Sequence, residues 1–382
     1  MVNVGDDGQI AQIFHIVNWS ESARTHYRQD PSCRIIAEYL WYRKGITWTL
    51  ITSAKQSFRL LVEDETFDKG GSTVFIKDEH PLEYLIAFLN SKVARVLNKT
   101  LNPTLNLQIK NVRDLPIIVS QVHTVINTTL SLILVEMRDW DSYETSWNFT
   151  KLPLLDPSYR QTTLQTTYQK LRHQWQQTTL EMQRLEEENN RIFILAYGLQ
   201  DELTPEVPLN EITLTCNPHY RYDHTKPQTE LETLLLADTI KEYISYAVGC
   251  MFGRYSLDQP GLILANQGET LPDYLQQIPN PTFTPTKTNV IPILDGQWFT
   301  DDMSDRFRQF LRLTFGEEHY EENLKFIEKA LGKDIRKYFL KDFYNDHIKR
   351  YKNAPSTGFS PPPKATSTPS STYTAIAQIQ SV

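Results

Sequence analysis

Between Thr162 and Tyr197, the residues Leu164, Tyr168, Leu171, Trp175, Thr178, Met182, Leu185, Asn189, Ile192 and Ala196 recur alternately four and three positions apart. That spacing keeps returning to one side of an α-helix, so the middle of the chain is committed to one long helix with a heptad seam. Thr178 and Asn189 are polar lapses in the seam, and Gly198 supplies a stop because glycine tolerates the backbone of a helix C-terminus. A helical hairpin arm folded onto its own chain accounts for the pattern. A dimerising coiled coil is the competing reading.

The stretch from Leu85 to Ile117 predicts a second unit. Leu85, Phe88, Leu89, Val93, Val96, Leu97 and Leu101 fall at helical spacing, while Lys92, Arg95 and Lys99 form a cationic stripe on the opposite face. Pro103 ends this helix and forces Asn102 to an extended conformation. Leu105, Leu107 and Ile109 then alternate with Asn106, Gln108 and Lys110, which predicts a half-buried strand followed by a polar turn over 111–114. Amides on such a strand can read base edges while nearby Lys and Arg hold phosphates. An ordinary α+β edge with a solvated face has the same pattern.

With 382 residues, 40% hydrophobic and 11% aromatic, the chain can bury real cores in two or three domains. Its net charge of −7 and pI near 5.8 exclude a wholly basic nucleic-acid coat but leave room for local cationic clusters. Cys33, Cys216 and Cys250 are too few and scattered for a disulfide framework or a zinc knuckle, which fits a reducing cytoplasm. No signal peptide is visible, and the most apolar run, Leu130 to Val135, is far too short to span a bilayer.

One cationic region lies near the start, with Arg24, Arg28, Arg34, Arg43, Lys44, Lys55 and Arg59 interleaved with aromatics such as Trp48. Such a mixture suits phosphate positioning with stacking, or equally a solvated strand face over an aromatic core. The candidate DNA-contacting residues are therefore Arg43, Lys44, Lys55, Arg59, Lys92 and Arg95 for phosphate, Trp48 for stacking, and Asn106, Gln108 and Asn111 for bases. Further on, residues 121–135 read as helix, and 139–149 as a polar turn packed by Trp140, Trp147 and Phe149. Pro153 and Pro157 mark a linker, 211–216 is strand-like, and 237–254 is an amphipathic helix. The small residues Ala247, Gly249 and Gly253 suggest close packing there, 272–288 reads as a flexible insert, and helices follow at 304–315, 320–331 and 335–351. More than half of the tail from Ala354 is Ser, Thr or Pro, which predicts disorder.

No catalytic or metal-binding motif stands out. Asn217-Pro218-His219-Tyr220 lacks the second proline of an adenine-holding Asn-Pro-Pro-aromatic loop, and no Gly-rich cofactor turn precedes it. It reads as a chance loop, and His219, Asp223 and His224 as a surface cluster rather than a metal site.

Several blocks carry a resemblance: Val17-Asn18-Trp19, Gly45-Ile46-Thr47-Trp48, Ser53 to Arg59, Phe67 to Ser72, the run from Asp139 to Phe149, Asn190 to Ile194, and Tyr197 to Leu203. Together they resemble the C-terminal portion of the PglX family, the adenine-specific DNA methyltransferases of BREX phage-defence systems. The resemblance implies an α+β chain: a mixed target-recognition subdomain, its distal part at 1–120, then a helix and aromatic junction at 121–160. A mainly helical region at 161–260 with the long heptad-patterned helix, a loop at 261–290, and a helical module at 291–353 complete it. It also implies that the chain begins within a domain and that the intact enzyme methylates adenine N6 at a specific site in double-stranded DNA. S-adenosylmethionine would be bound by a catalytic part absent from this chain, with that part or other BREX proteins as further partners. A non-catalytic docking module and a decayed gene product are the alternatives. Shifted by one frame, codons for 354–359 and 365–373 can spell blocks with which the family continues, so 354–382 is expected to be out-of-frame sequence.

Overall fold

The computed structural model describes residues 18–33, 35–52, 56–63, 65–67, 70–76, 81–266, 268–288 and 290–351, together with the backbone of three short strands at 2–3, 15–16 and 375–378. Lys55, Arg34, most of the segment before Asn18, and the tail beyond Tyr351 apart from that last strand lie outside the described residues. The fold is α+β and mainly helical. It divides into two units, one from 1–140 with 175–224 and one from 141–174 with 225–382.

The first unit begins with the antiparallel pair β1 (Val2–Asn3) and β2 (His15–Ile16), then α1 (Glu21–Gln29). Its sheet is antiparallel in the order β4-β3-β5, with β3 (Gly45–Thr49) between β4 (Phe58–Leu61) and β5 (Gly71–Val74). Ile46, Trp48 and Phe58 are buried against α2 (Leu82–Asn90), which supplies Tyr84, Ile86 and Phe88 to the same core. Period-two alternation puts Ile46 and Trp48 on one face, yet Thr47 on the other face is buried as well, with its hydroxyl on the Ser72 carbonyl at 3.1 Å.

The single helix expected over 85–101 is two helices, α2 and α3 (Lys92–Leu101), broken at Ser91. Ser91 adopts an extended backbone, accepts the Ala94 N–H at 3.2 Å and donates to the Phe88 carbonyl at 2.6 Å, so one hydroxyl ends α2 and caps α3. Asn90, just before it, pairs both ways with the backbone of Phe58 at 3.0 Å and ties the break to β4.

The strand expected at 105–109 is reduced to one bridge between Ile51 and Asn106, and Ile109 opens a short helix, α4 (Ile109–Arg113), where a turn was expected. Only Leu107 of the alternating residues is buried. The Asn111 side chain explains the change, because its Oδ1 accepts the Gln108 N–H at 3.0 Å and starts a helical turn.

Helix α5 (Val122–Trp140) runs five residues beyond the expected end, and α6 (Leu164–Ala196) is the long helix. Its residues from Trp175 belong to the first unit. The seam residues Met182, Leu185, Asn189 and Ile192 are buried there, within their own chain. The polar lapse at Asn189 has a purpose, since its Nδ2 donates to the Ala87 carbonyl at 3.0 Å. Gly198 stops the helix at φ +66°, with the Leu199 N–H returning to the Ile194 carbonyl.

No strand forms at 211–216: Ile212 and Leu214 are buried from an irregular segment. Its N–H groups at Thr215 and Cys216 are taken by the buried Asp139 carboxylate at 2.6 and 3.0 Å. Burial pushes the Asp139 pKa up against the pull of those hydrogen bonds. Asn217 caps the short α7 (Pro218–Arg221) and donates to the carbonyls of Leu209 and Ile212, a local structural role.

The second unit is built on α8 (Gln228–Met251), whose buried residues face several sides, as a central helix requires. Tyr243 is fully buried among Phe307, Phe310 and Phe315 and shares a 2.6 Å hydrogen bond with Thr314. The expected close packing is present at Gly249, where a Cβ would lie 2.6 Å from a Tyr255 ring carbon. The segment expected to be a flexible insert contains α9 (Leu271–Gln277) and is anchored by buried Tyr274, Ile278 and Phe283. Strand β6 (Val290–Ile293) pairs antiparallel with β7 (Ala375–Gln378), so four tail residues have strand backbone where disorder was expected. The last helices are α10 (Met303–Phe315), α11 (Tyr320–Leu331), α12 (Ile335–Lys341) and α13 (Phe343–Arg350), with a break at Asp342. At the turn expected to be packed by three aromatics, Phe149 is buried but Trp147 is 61% exposed. Glu144 from that turn is buried, and its Oε2 accepts from Ser245 at 2.7 Å and Tyr351 at 3.0 Å.

Candidate nucleic-acid interface

Helix α3 and the loop after it border a cleft of ≈ 410 Å³ in the first unit. One wall is the polar side of α3, where Arg95, Asn98, Lys99 and Asn102 recur at i, i+3, i+4 and i+7. The other walls come from Thr52 and Gln56, from Asn90 at the helix break, and from Pro103 to Leu105. Leu89, Phe58 and Leu107 form an apolar floor. Two cations, several amides and an apolar floor are the groups needed to hold a phosphate and meet the edge or face of a base.

The helix sets the cations differently. Lys92 is tied to the Glu206 carbonyl, and Arg95 pairs with Glu211 at 3.4 Å, both partly exposed. Lys99, a turn further on, is exposed and forms no ion pair with a described residue. The Oδ1 of Asn98 is buried with no hydrogen-bond donor among the described residues, as is the Oδ1 of Asn106. A buried amide oxygen without a donor is costly to the fold.

The loop is held rigidly. Asn102 Nδ2 donates to the Asn106 carbonyl at 2.7 Å and to Asn111 Oδ1 at 3.2 Å, while its own Oδ1 accepts from both the backbone and hydroxyl of Thr104. The backbone of Leu105 and Leu107 bonds to Thr52 and Leu50. Asn111 is therefore used inside the protein, whereas Gln108 is exposed.

The other expected contacts fall elsewhere. Trp48 is fully buried, and its indole N–H donates to the Leu107 carbonyl at 2.8 Å, so its ring is core and not a stacking platform. Arg59 is 1% exposed, with its guanidinium on Thr49 Oγ1 at 2.9 Å, which removes it from reach of a phosphate. Both belong to the sheet because β4 pairs with the centre strand over its whole length. Arg43 and Lys44 are exposed, with the Arg43 guanidinium 5.0 Å from the Phe75 ring centre. Lys55 lies outside the described residues. The candidate contacts read from sequence left out Gln56, Asn98 and Asn102, and also Lys99, although the cationic stripe had included it. The i, i+3, i+4, i+7 polar stripe was the signal that could have found the last three.

No group of metal-binding side chains occurs among the described residues, and no described helix is long and apolar enough to cross a membrane.

No protein-family model matches the chain. It is 36% identical over 362 residues to the adenine-specific methyltransferase PglX of Lacticaseibacillus casei (strain Zhang), covering 90% of this chain and 28% of that protein. It is 31% identical over 332 residues to the adenine-specific methyltransferase BrxX of Escherichia coli O9:H4 (strain HS), covering 83% of this chain and 27% of that protein. The chain thus spans little more than a quarter of the length of these relatives.

Proposed function

As the chain is a relative of the adenine-specific methyltransferases PglX and BrxX and matches a portion of each, we propose that it is the C-terminal, DNA-engaging part of such an enzyme. In this reading it contributes target recognition within a phage-defence methyltransferase. In the same reading, methyl transfer from S-adenosylmethionine to adenine N6 belongs to parts of the intact enzyme outside the matched region.

The observation that carries this reading is the cleft along α3. Lys99 and Arg95 supply positive charge, and Asn98 and Gln56 line the same cleft with amides, while Asn102 braces its loop. Arg43, Lys44 and Gln108 are further exposed contacts on the same unit. Counterion release makes such binding steeply dependent on salt.

The test is fluorescence anisotropy of labelled duplex DNA with the full chain across a salt series. Binding that weakens steeply as salt rises, and weakens further in Lys99→Ala, supports the reading. Binding insensitive to salt, or none at low salt, overturns it.

A second reading, docking onto other defence proteins, draws on Trp298 and Phe299, which are 74% and 47% exposed in the second unit. It predicts that Trp298→Ala weakens a protein complex and leaves DNA binding intact.

A further inference from the structure

Leu105 is 62% exposed on the loop between α3 and α4. Its neighbours bring the point out. Leu107, two residues on, is buried, and sequence alternation assigned Leu105 to the same face. The bridge between Ile51 and Asn106, the Thr52 N–H on the Leu105 carbonyl at 3.2 Å and the amide of Asn102 hold the backbone so that Leu105 stays out. The same loop lines the cleft, following the helix that carries Arg95 and Lys99.

A braced, exposed apolar side chain at a cleft lined by cations and amides matches stacked bases between two phosphate backbones. We infer that Leu105 is a wedge that enters a base step of duplex DNA held by α3. This inference rests on the DNA-binding reading above and adds how the duplex is engaged. Apolar side chains of this size separate stacked bases at flexible pyrimidine–purine steps, while flanking cations hold the phosphates on either side.

The experiment uses the full chain and duplexes carrying 2-aminopurine at pyrimidine–purine steps, whose fluorescence rises when the base loses its stacking partner. Salt-dependent anisotropy is read on the same samples. The expected result is a fluorescence rise on binding that Leu105→Ala abolishes and Leu105→Phe retains, with affinity in Leu105→Ala lowered about tenfold through loss of one buried leucine. Leu105 is largely exposed, so the alanine variant folds, and an unchanged thermal melt checks this. Salt-dependent binding with no fluorescence rise, or a rise untouched by Leu105→Ala, overturns the wedge and leaves the DNA reading standing. Absence of salt-dependent binding overturns both.

Discussion

Asn102, at the end of α3, donates from Nδ2 to Oδ1 of Asn111 in α4 at 3.2 Å. Through this pair the stop signal of one helix is joined to the start signal of the next. The loop between them has little freedom, because Asn102 also reaches the Asn106 carbonyl and Asn111 also holds the Gln108 N–H. Replacing Asn111 by Ala should cost about 1–2 kcal/mol, the usual loss for an N-terminal helix cap. Faster amide hydrogen exchange at Thr52 and Leu107, with slow exchange kept in β3, is the expected signature.

Trp48 offers a contrast between core and interface. Trp48→Ala should destabilise by about 3–5 kcal/mol. Trp48→Phe should cost about 1–3 kcal/mol, because the Leu107 carbonyl loses its indole donor. Urea denaturation gives both numbers. In the folded Trp48→Phe protein DNA affinity should be unchanged, and a marked loss would return Trp48 to the interface.

Lys99 is expected to act as a phosphate contact. Lys99→Ala should lower DNA affinity across all sequences and reduce the slope of log affinity against log salt by about 1. A salt titration of the variant beside the parent chain measures it. An unchanged slope would take Lys99 out of the contact set.

His347 should make the second unit sensitive to acid. Burial, and then the charges of Arg350 and Arg254, lower its pKa from 6.5 to about 4. The unfolded chain therefore binds this proton more readily than the folded one. The contribution to stability is complete above pH 6.5 and is lost as pH falls toward 4, by about 3 kcal/mol in all. Denaturant midpoints of the parent and His347→Gln between these limits should converge as the pH falls.

Gly249 is a packing requirement of α8. A methyl group there would lie 2.6 Å from Tyr255, whose ring stacks on Tyr246 with centres 5.1 Å apart. Gly249→Ala should therefore lower stability by about 1–3 kcal/mol in spite of alanine's better helix propensity. A raised melting temperature would mean that Tyr255 moves aside freely.

The elements written in the local sequence were legible from it. The heptad spacing placed the long helix to within two residues at its start and one at its end. Gly198 ended it, and Gly249 marked a close approach. Such features depend on periodicity and on backbone conformations that few residues adopt. The blocks from Gly45 to Trp48 and from Asp139 to Phe149 also carried the resemblance to the PglX family.

What tertiary structure alone decided was where each polar side chain spends its hydrogen bonds. A stripe of apolar residues from Leu85 to Leu101 cannot reveal that Ser91 will divide it, because that depends on Asn90 reaching β4. Alternation at Leu105, Leu107 and Ile109 cannot foresee that Asn111 will turn the chain into a helix. Arg59 and Trp48 have the composition of a nucleic-acid surface, yet the pairing of β4 with β3 buries both. Sequence determined the helices and the charges they carry. The sheet and the helix break determined that the charge and amides meeting at one cleft are those of α3.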